Sequence, residues 1–494
     1  FIGGTFGEAW RRRWRFYLGL AATWLLLGWL VLGTAARGGT AGFHTKVSPW
    51  QYVCTQAKAI VHYLWLTLWP QPLIFDYGVE VENRVPVVIA CSIVVALLAV
   101  STVILLKRQP AAGFWGTWFF AALAPSSSFI PIGTQTMAEH RMYLPLAPVL
   151  ILLVLCFFRI GRSLSWAVFL LLAVAAGLGA HARNNDYRTA VSIWRDTVAK
   201  KPANARAHND FGRVLLRVGR VAEAREEFKK AVALAPDYVE ARSNLGEAFI
   251  KSGHIAEAIA ELEKAIKIDP SAAGVRINYG NALLMAGRTD EALKQLQAGL
   301  DLDPEVEGGN FNLANALARL GRTSEAVAQY EKALQAEPTD AEAHPNYAAL
   351  LRRMGNFSEA VAQARTAVQL NPDSARTHNN LGTALVMEGK LDEAVTQFRE
   401  AVRLQPKLLE ARINFANALT KAGRLDEALQ EYNQLLPLAP PSAELHNNLG
   451  VIYAQLGRFA EAKEEFQQAL KLEPGHAGAS ENLQKIETLR QNAP

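Results

Sequence analysis

Cysteine and methionine are scarce in this chain. Its 494 residues include 3 cysteines and 5 methionines. Cys54, Cys91 and Cys156 show neither the paired spacing of a zinc site nor a disulfide pattern, so no metal site and no disulfide framework is predicted. Cys91 and Cys156 lie inside apolar runs, and we interpret both as buried thiols. The chain begins with Phe1 and its first methionine is Met137, which predicts an N-terminally truncated piece of a longer protein.

Acidic residues are scarce in residues 1–180, which carry 5 Asp and Glu against 13 Lys and Arg. The remainder carries 41 acidic against 38 basic residues, so the net charge of +5 combines a basic part with a mildly acidic one. A nucleic-acid-binding face would show a stripe of Lys and Arg with interleaved aromatic residues, and the sequence shows none. We therefore expect no nucleic-acid partner.

The basic part contains long apolar runs. Together they predict a polytopic membrane domain over 1–182 with about five spans, although some are shorter than the roughly 20 residues that cross a bilayer upright. A further apolar segment at 60–69, rich in Trp and Tyr, is too short to span and is predicted to lie in the membrane interface or to re-enter it. The lipid bilayer is thus an expected partner. The candidate spans lie at 16–36, 84–106, 111–124, 145–158 and 164–181.

The rest of the chain repeats with a period of 34 residues, kept by three series of proline, glycine and alanine. Such a period with these residue types resembles the tetratricopeptide repeat (TPR) family, in which each unit is a helix–turn–helix and the units stack. We predict eight units over 203–474, preceded by a junction helix or partial repeat at 183–202 and followed by a capping helix and tail at 475–494. The series are Pro202, Pro236, Pro270, Pro304, Pro338, Pro372, Pro406, Pro440 and Pro474; Gly219, Gly253, Gly287, Gly321, Gly355, Gly389, Gly423 and Gly457; and Ala224, Ala258, Ala292, Ala326, Ala360, Ala394, Ala428 and Ala462.

The predicted fold class is all-α, with a multi-span transmembrane helical domain followed by a TPR α-solenoid superhelix. Five spans would place three basic clusters on one side of the membrane, which the positive-inside rule assigns to the cytoplasm. The expected localisation is a multi-pass membrane protein, in the inner membrane if bacterial, with an extracytoplasmic TPR domain. The clusters are Arg11, Arg12, Arg13 and Arg15; Lys107 and Arg108; and Arg159 and Arg162.

Asparagine follows the same period at seven positions, with an aspartate opening the row. One hypothesis is that these amides hold the backbone of an extended polypeptide, because an amide offers both donors and an acceptor. The row resembles the asparagine row in the TPR groove of O-GlcNAc transferase, which implies an extended polypeptide or partner protein as ligand. The alternative is that each amide bonds backbone or water between repeats. The row is Asp210, Asn244, Asn278, Asn312, Asn346, Asn380, Asn414 and Asn448.

A second, basic or polar row lies two positions before the first and is predicted to line the same groove. Its members are separated by a repeat's rise and do not converge, so a metal site is not expected there. The row is His208, Arg242, Arg276, Asn310, His344, His378, Arg412 and His446.

Glu139, His140 and Arg141 form a dense polar cluster at the mouth of an apolar helix. Charged groups at membrane depth are costly and tend to serve a function. Our hypothesis is that His140 and Arg141 bind the phosphate of a lipid-linked donor and that Glu139 orients one of them. The alternative is a snorkelling arginine beside Tyr143 as an interfacial anchor.

Four segments together resemble one further family. They are SPWQY at 48–52, LIFDYGV at 73–79, PSSSFIPIG and AEHRMYLP within 125–145, and RNNDYRTAVSIWRDTVAKKPANARAHNDFG at 183–212. They are similar to TMTC-type transmembrane and TPR-repeat-containing proteins, O-mannosyltransferase-like enzymes of the GT-C glycosyltransferase class. The resemblance implies transfer of mannose, or another sugar, from a polyprenyl-phosphate donor to Ser or Thr of proteins outside the cytoplasm. Residues 1–182 would then be the later part of a GT-C-like core.

The same resemblance implies an acidic residue in the first extracytoplasmic loop, acting as base or metal ligand. Asp76, Glu80 and Glu82 do not match that motif and are interpreted as surface or support residues. The catalytic residues stay unknown and are expected upstream of residue 1, and a divalent metal and a polyprenyl-phosphate sugar donor stay open as cofactors of the full-length parent. Whether this chain is an enzyme is left open, the alternative being a non-enzymatic, membrane-anchored TPR adaptor.

Overall fold

The structure, a computed structural model, describes residues 11, 14, 48–68, 74–77, 81–123, 147–152, 170–171, 174, 178 and 188–491. Regular structure in these residues is α-helical. The chain forms two compact units, Phe1–Asp269 and Pro270–Pro494. The all-α prediction is confirmed for the described part of the chain.

Three helices come first in the first unit: α1 Pro49–Leu68, α2 Val85–Arg108 and α3 Pro110–Leu123. α1 and α3 share a small apolar core that includes Tyr63 and Phe119. The segment at 60–69, expected to be a short interfacial helix, lies mostly in the second half of the 20-residue α1 and contributes Ile60, Tyr63 and Leu66 to this core.

The structure supports one candidate membrane span in its described residues. α2 is the helix there that is long and apolar enough to cross a membrane, and it coincides with the predicted span at 84–106. α3 covers the predicted span at 111–124 but has 14 residues, fewer than the roughly 20 that cross a bilayer. The predicted span at 16–36 lies outside the described residues, and those at 145–158 and 164–181 lie mostly outside them. The expected five spans are therefore not supported beyond α2.

The repeats of the first unit follow a short helix, α4 Ala190–Lys200. Thr189 caps α4, because its Oγ1 accepts from the Ser192 amide over 3.0 Å while the Ser192 Oγ accepts from the Thr189 amide over 3.1 Å. Two helix pairs complete the unit. They are α5 Ala205–Arg217 with α6 Val221–Leu234, and α7 Val239–Lys251 with α8 Ile255–Ile268.

The second unit consists of six helix pairs and a final helix. The pairs are α9 Ala273–Met285 with α10 Thr289–Leu302, α11 Gly309–Arg319 with α12 Thr323–Ala336, α13 Ala343–Arg353 with α14 Phe357–Leu370, α15 Ala375–Glu388 with α16 Leu391–Leu404, α17 Leu409–Lys421 with α18 Leu425–Leu435, and α19 Ala443–Gln455 with α20 Phe459–Leu472. The final helix is α21 Ala477–Gln491.

The periodic residues explain why each pair turns and packs as it does. Gly219 ends the first helix of its pair at φ 78°, a left-handed conformation that glycine adopts without steric cost. A Cβ on Gly212 would lie 2.6 Å from Phe228 Cε1, so the close crossing of α5 and α6 requires glycine there. Ala224 is fully buried at the start of the second helix.

The first helices of neighbouring repeats lie side by side. α5 contacts α7 in the first unit, and in the second unit α9, α11, α13, α15 and α17 contact one another in succession, as do α19 and α21. We call the surface that these helices form within each unit its first-helix face. Every member of the predicted asparagine row lies on one of these helices.

Candidate peptide-binding face

The predicted row lies on the first helix of each pair, one residue per repeat. Asp210 and six of the seven asparagines are half-buried, and Asn346 is exposed. Their 34-residue spacing matches the repeat, so each side chain occupies the same place on its own helix. We call these side chains the amide row.

Two members of the amide row bond to a second amide in the preceding repeat, 35 residues earlier. Asn244 Nδ2 donates to Asn209 Oδ1 over 2.8 Å in the first unit, and Asn414 Nδ2 donates to Asn379 Oδ1 over 3.0 Å in the second. Asn209 and Asn379 are buried, so these bonds satisfy polar groups that water does not reach.

A third bond of this kind adds a member that the sequence analysis missed. Asn482, on α21, donates to Asn447 Oδ1 over 3.1 Å. It stands one period after Asn448, so the 34-residue spacing could have found it. Asn482 was not included in the predicted row because residues 475–494 were predicted to be a capping helix and tail rather than part of a repeat.

Two other members donate to an amide 31 residues earlier. Asn346 Nδ2 lies 3.3 Å from Asn315 Oδ1, and Asn448 Nδ2 lies 3.5 Å from Asn417 Oδ1. The receiving oxygens also accept from a tyrosine on the second helix of their own repeat, Tyr330 over 2.5 Å for Asn315 and Tyr432 for Asn417. Burial raises the pKa of Tyr432 to about 12, so its hydroxyl stays a donor at neutral pH.

Asn312 and Asn380 differ from the other members of the row. Neither amide has a hydrogen bond to another described residue. In the repeat before Asn380 the two acceptor positions are taken by Pro345 and Ala349, which offer no side-chain oxygen. An amide has two N–H donors and an acceptor oxygen, so even the bonded members keep one donor and bonding capacity at Oδ1. The alternative named backbone or water as the partners between repeats, whereas the bonds seen here go to side-chain amides and leave capacity for a polypeptide.

Asp210 opens the row with a carboxyl group instead of an amide. Burial raises its pKa above the usual range, although the nearby Arg206 and Arg213 act in the opposite direction. Arg206 Nε lies 3.6 Å and Arg213 Nη1 3.7 Å from its carboxylate oxygens. This end of the first-helix face therefore carries charge, whereas the later members carry neutral amides.

The buried histidines of the second predicted row do not line this face. His208 is buried, with Nδ1 at 2.6 Å from Glu227 Oε2 and Nε2 at 3.0 Å from the carbonyl oxygen of Pro202. His378 makes the corresponding contacts with Gln397 and the carbonyl of Pro372. The prediction that this row lines the groove is thus wrong for the buried histidines, which tie the first helix to the second helix and to the proline linker.

Arginine makes the same tie where it replaces histidine. Arg242 Nη1 bonds Glu261 over 2.5 Å and its Nε bonds the Pro236 carbonyl over 2.8 Å. Arg276 and Arg412 repeat this pattern with Gln295 and Glu431. Both side chains place two nitrogens near the same two oxygens at this spacing, which explains why the position alternates between them.

Glu139, His140 and Arg141 lie outside the described residues, so the structure says nothing of the phosphate hypothesis. Among the described residues, no group of three His, Cys, Asp or Glu side chains is placed to hold a metal ion. Asp76 and Glu82, which were interpreted as surface or support residues, are both buried. Glu82 pairs with Lys58 over 2.8 Å and with Arg84 over 2.9 Å, and its hydrogen bonds from Arg84 and Lys58 hold its pKa far below the usual range.

Comparison with models of known protein families identifies the kind of repeat. Profiles of the tetratricopeptide repeat match residues 180–239, 209–273, 249–320, 308–350, 348–408, 416–457 and 443–476. The chain carries tetratricopeptide repeats. The family predicted from the proline, glycine and alanine series is thereby confirmed for this part.

Relatives of the TPR array include a curated protein and several solved structures. Protein O-mannosyl-transferase Tmtc3 of Drosophila melanogaster is 32% identical over 123 residues, which is 23% of this chain and 13% of that protein. This similarity supports a relationship to the repeats of TMTC-type proteins but does not extend to the GT-C assignment.

Two solved structures are similar to parts of this chain. The APC/C hetero-tetramer Cut9-Hcn1 has a TM-score of 0.45 at 17% identity and covers 58% of this chain and 56% of its own. Pseudomonas aeruginosa pilF has a TM-score of 0.38 at 23% identity and covers 44% of this chain and 98% of its own. Both likenesses concern the fold alone.

Proposed function

We propose that the TPR array binds the backbone of an extended polypeptide along the first-helix face. The observation that carries this proposal is the amide row, in which the side chains of Asn312 and Asn380 make no hydrogen bond to a described residue and the bonded members keep unused capacity. Amides recognise backbone N–H and C=O groups irrespective of side chains, so the ligand is defined by its extended conformation rather than by its sequence.

The bonds within the row support this proposal because they fix the amides before a ligand arrives. Asn414 is held by Asn379, and Asn448 by Asn417, so their side chains need not be ordered on binding. Pre-organisation of this kind lowers the entropic cost of association. A row of fixed amides at one per repeat suits a ligand that extends along the helices.

Photo-crosslinking tests the proposal directly. A photo-crosslinking residue at Ala349, exposed on α13, should label reduced, carboxymethylated lactalbumin, an unfolded polypeptide used here as the probe. The matched control is the same residue at Ala328, exposed on the second helix α12. Equal labelling from Ala349 and Ala328 would contradict a ligand on the first-helix face.

A second candidate function is favoured by the similarity to an O-mannosyl-transferase. In this case the TPR array is the acceptor-binding arm of a multi-pass GT-C-type enzyme that moves mannose, or another sugar, from a polyprenyl-phosphate to Ser or Thr outside the cytoplasm. Arg141 would bind the donor phosphate with His140 and Glu139. The non-enzymatic alternative is a membrane-anchored adaptor that uses the same face for a partner protein.

Transfer of a sugar from the polyprenyl-phosphate donor distinguishes the enzyme from the adaptor. In the full-length parent, Arg141→Ala should lower transfer from a polyprenyl-phosphate-linked sugar to a serine-containing peptide, while labelling from Ala349 stays unchanged. Absence of any transfer by the parent, with polypeptide binding intact, would leave the adaptor function. Protease applied from the cytoplasmic side should leave the repeats uncut if they are extracytoplasmic, and digestion of the repeats would contradict that orientation.

A further inference from the structure

The segment 74–77 contacts α1 and α3 on one side and the first repeat, which consists of α5 and α6, on the other. All of these elements belong to the first unit. It forms neither helix nor strand, and it buries Ile74, Asp76 and Tyr77. Ile74 and Tyr77 join the apolar core of α1 and α3. Asp76 is directed instead towards the repeat.

Asn204 holds the backbone of this segment through its amide. Its Oδ1 caps α5 by accepting from the Ala207 amide over 3.1 Å, and its Nδ2 donates to the carbonyl oxygen of Asp76 over 3.2 Å. An asparagine side chain on the repeat thus bonds the main chain of a non-helical segment. This is the chemistry that the amide row offers to a polypeptide.

Arg206 connects the segment to the beginning of the amide row. Its Nε lies 3.6 Å from Asp76 Oδ2 and 3.6 Å from Asp210 Oδ2. The Asp76 side chain is fully buried. The segment therefore occupies the space beside the first member of the row.

Aromatic side chains on either side of Asp76 complete the contact. The Phe75 ring meets the Trp194 ring edge to face, with centroids 5.3 Å apart. Lys201 Nζ lies 5.6 Å from the centre of the Tyr77 ring, whose hydroxyl is 3.2 Å from His62 Nε2. Three consecutive residues thus each contact a different part of the repeat or its preceding helix, as the residues of a bound peptide do.

We propose that segment 74–77 is an intramolecular polypeptide ligand of the first repeat, which closes that end of the amide row. The first repeat thereby has a subsite for an acidic residue flanked by aromatic residues, and the chain fills it itself. An external polypeptide is held by the members that follow Asp210. This inference rests on the proposed function for the external ligand, but the docking of 74–77 does not.

The variant Asn204→Asp tests the docking of the segment in the full chain, solubilised in detergent. Aspartate keeps the oxygen that caps α5 but lacks the donor to the Asp76 carbonyl, and it adds a like charge beside Asp76. Ser374→Asp is the matched control, because Ser374 caps α15 in a repeat of the second unit. Cleavage by chymotrypsin after the buried Tyr77 should rise about fivefold in Asn204→Asp and stay unchanged in Ser374→Asp.

A photo-crosslinking residue at the exposed Arg213 then reports whether the end of the row has opened. Carboxymethylated lactalbumin should be labelled from this position in Asn204→Asp but not in the otherwise native chain. Unchanged cleavage would overturn the docking. Increased cleavage without labelling from Arg213, while labelling from Ala349 persists, would make the segment a structural tie and overturn the proposal alone. Increased cleavage with no labelling from either Arg213 or Ala349 would overturn the proposed function as well.

Discussion

Asn414 donates its side-chain N–H to the Oδ1 of Asn379, which lies 3.0 Å away in space and 35 residues earlier in the chain. Asn379 is buried and its own amide donates to Glu410 over 3.2 Å. The pair therefore links α15 to α17 through side chains alone. It also leaves the Asn414 amide with bonding capacity for a ligand, so one residue contributes to stability and to the proposed binding.

The Asn414→Ala substitution should destabilise the second unit by about 1 kcal/mol, because it leaves the buried Asn379 oxygen without its donor. Asn380→Ala is the control, since its amide has no hydrogen bond to a described residue and its loss should change stability by less than about 0.5 kcal/mol. Urea unfolding measures both values. Equal destabilisation by the two substitutions would contradict the assigned difference.

His208→Arg should keep the stability of the first repeat, because Arg242 makes the corresponding two contacts one repeat later. His208→Ala should cost about 2 kcal/mol, since it removes the ring whose two nitrogens contact the buried Glu227 carboxylate and the Pro202 carbonyl. Thermal unfolding of both variants provides the test. A loss for arginine as large as that for alanine would mean that the tie depends on the imidazole ring.

The contact between His208 and Glu227 should also stabilise the fold less in acid, because the Glu227 carboxylate becomes protonated. Burial raises the pKa of Glu227, but the hydrogen bonds from His208 and Lys230 outweigh this and lower it below the usual range. The folded state thus holds the Glu227 proton less tightly than the unfolded state. Its stabilising contribution is full above the unfolded pKa of about 4.3 and is lost as the pH falls through the lowered folded pKa.

Glu227→Gln isolates this effect, because glutamine occupies the same position at Gln363 and Gln397 in later repeats. The native chain should be more stable than the variant at pH 7, and the difference should shrink as the pH is lowered below about 4. Urea midpoints at several pH values show the trend. A difference that stays constant down to about pH 3 would exclude Glu227 as the titrating group.

Gly212→Ala should destabilise the first repeat by about 1–3 kcal/mol, because the added Cβ would lie 2.6 Å from the Phe228 ring. Gly274→Ala is the control, since a methyl group there would meet no neighbouring side chain within 4 Å and alanine favours the helix by about 1 kcal/mol. Differential scanning calorimetry compares the two. Tolerance of alanine at Gly212 would show that the helix crossing adapts without loss.

The repeat architecture could be predicted from the sequence because its determinants are local and periodic. Gly219 permits the left-handed turn, and Pro236 follows the end of the second helix. Both residue types recur at the same place in each repeat. The partners of the amide row could not be predicted, because Asn209 and Asn379 stand at a position that other repeats fill with Ile277 or Ile413. Because the residue type at this position changes from repeat to repeat, the 34-residue period does not reveal that its asparagines are acceptors.

The contact between segment 74–77 and the first repeat was equally beyond prediction. Asn204 and Asp76 are 128 residues apart, and neither belongs to a repeated series. Asp76 was interpreted as a surface or support residue because it lies in a predicted loop, and a loop position does not indicate whether a side chain is buried. Of the predicted spans that fall on described residues, α2 is long enough to cross a bilayer, whereas α3 with 14 residues is not.

The central claim is that the amide row holds a polypeptide backbone, and the double variant Asn312→Ala/Asn380→Ala tests it most directly. Both amides are without a hydrogen bond to a described residue, so their loss should leave folding unchanged. The control is Gln335→Ala/Gln369→Ala, which removes two exposed amides from the second helices α12 and α14, one repeat apart, whereas Asn312 and Asn380 are two repeats apart.

Fluorescence anisotropy with labelled, carboxymethylated lactalbumin gives the Kd for each form. We expect the asparagine pair to weaken binding about tenfold, because two lost hydrogen bonds contribute roughly 1.4 kcal/mol, whereas the glutamine pair should change Kd less than about twofold. Unchanged affinity in the asparagine pair, with the fold intact, would contradict the claim.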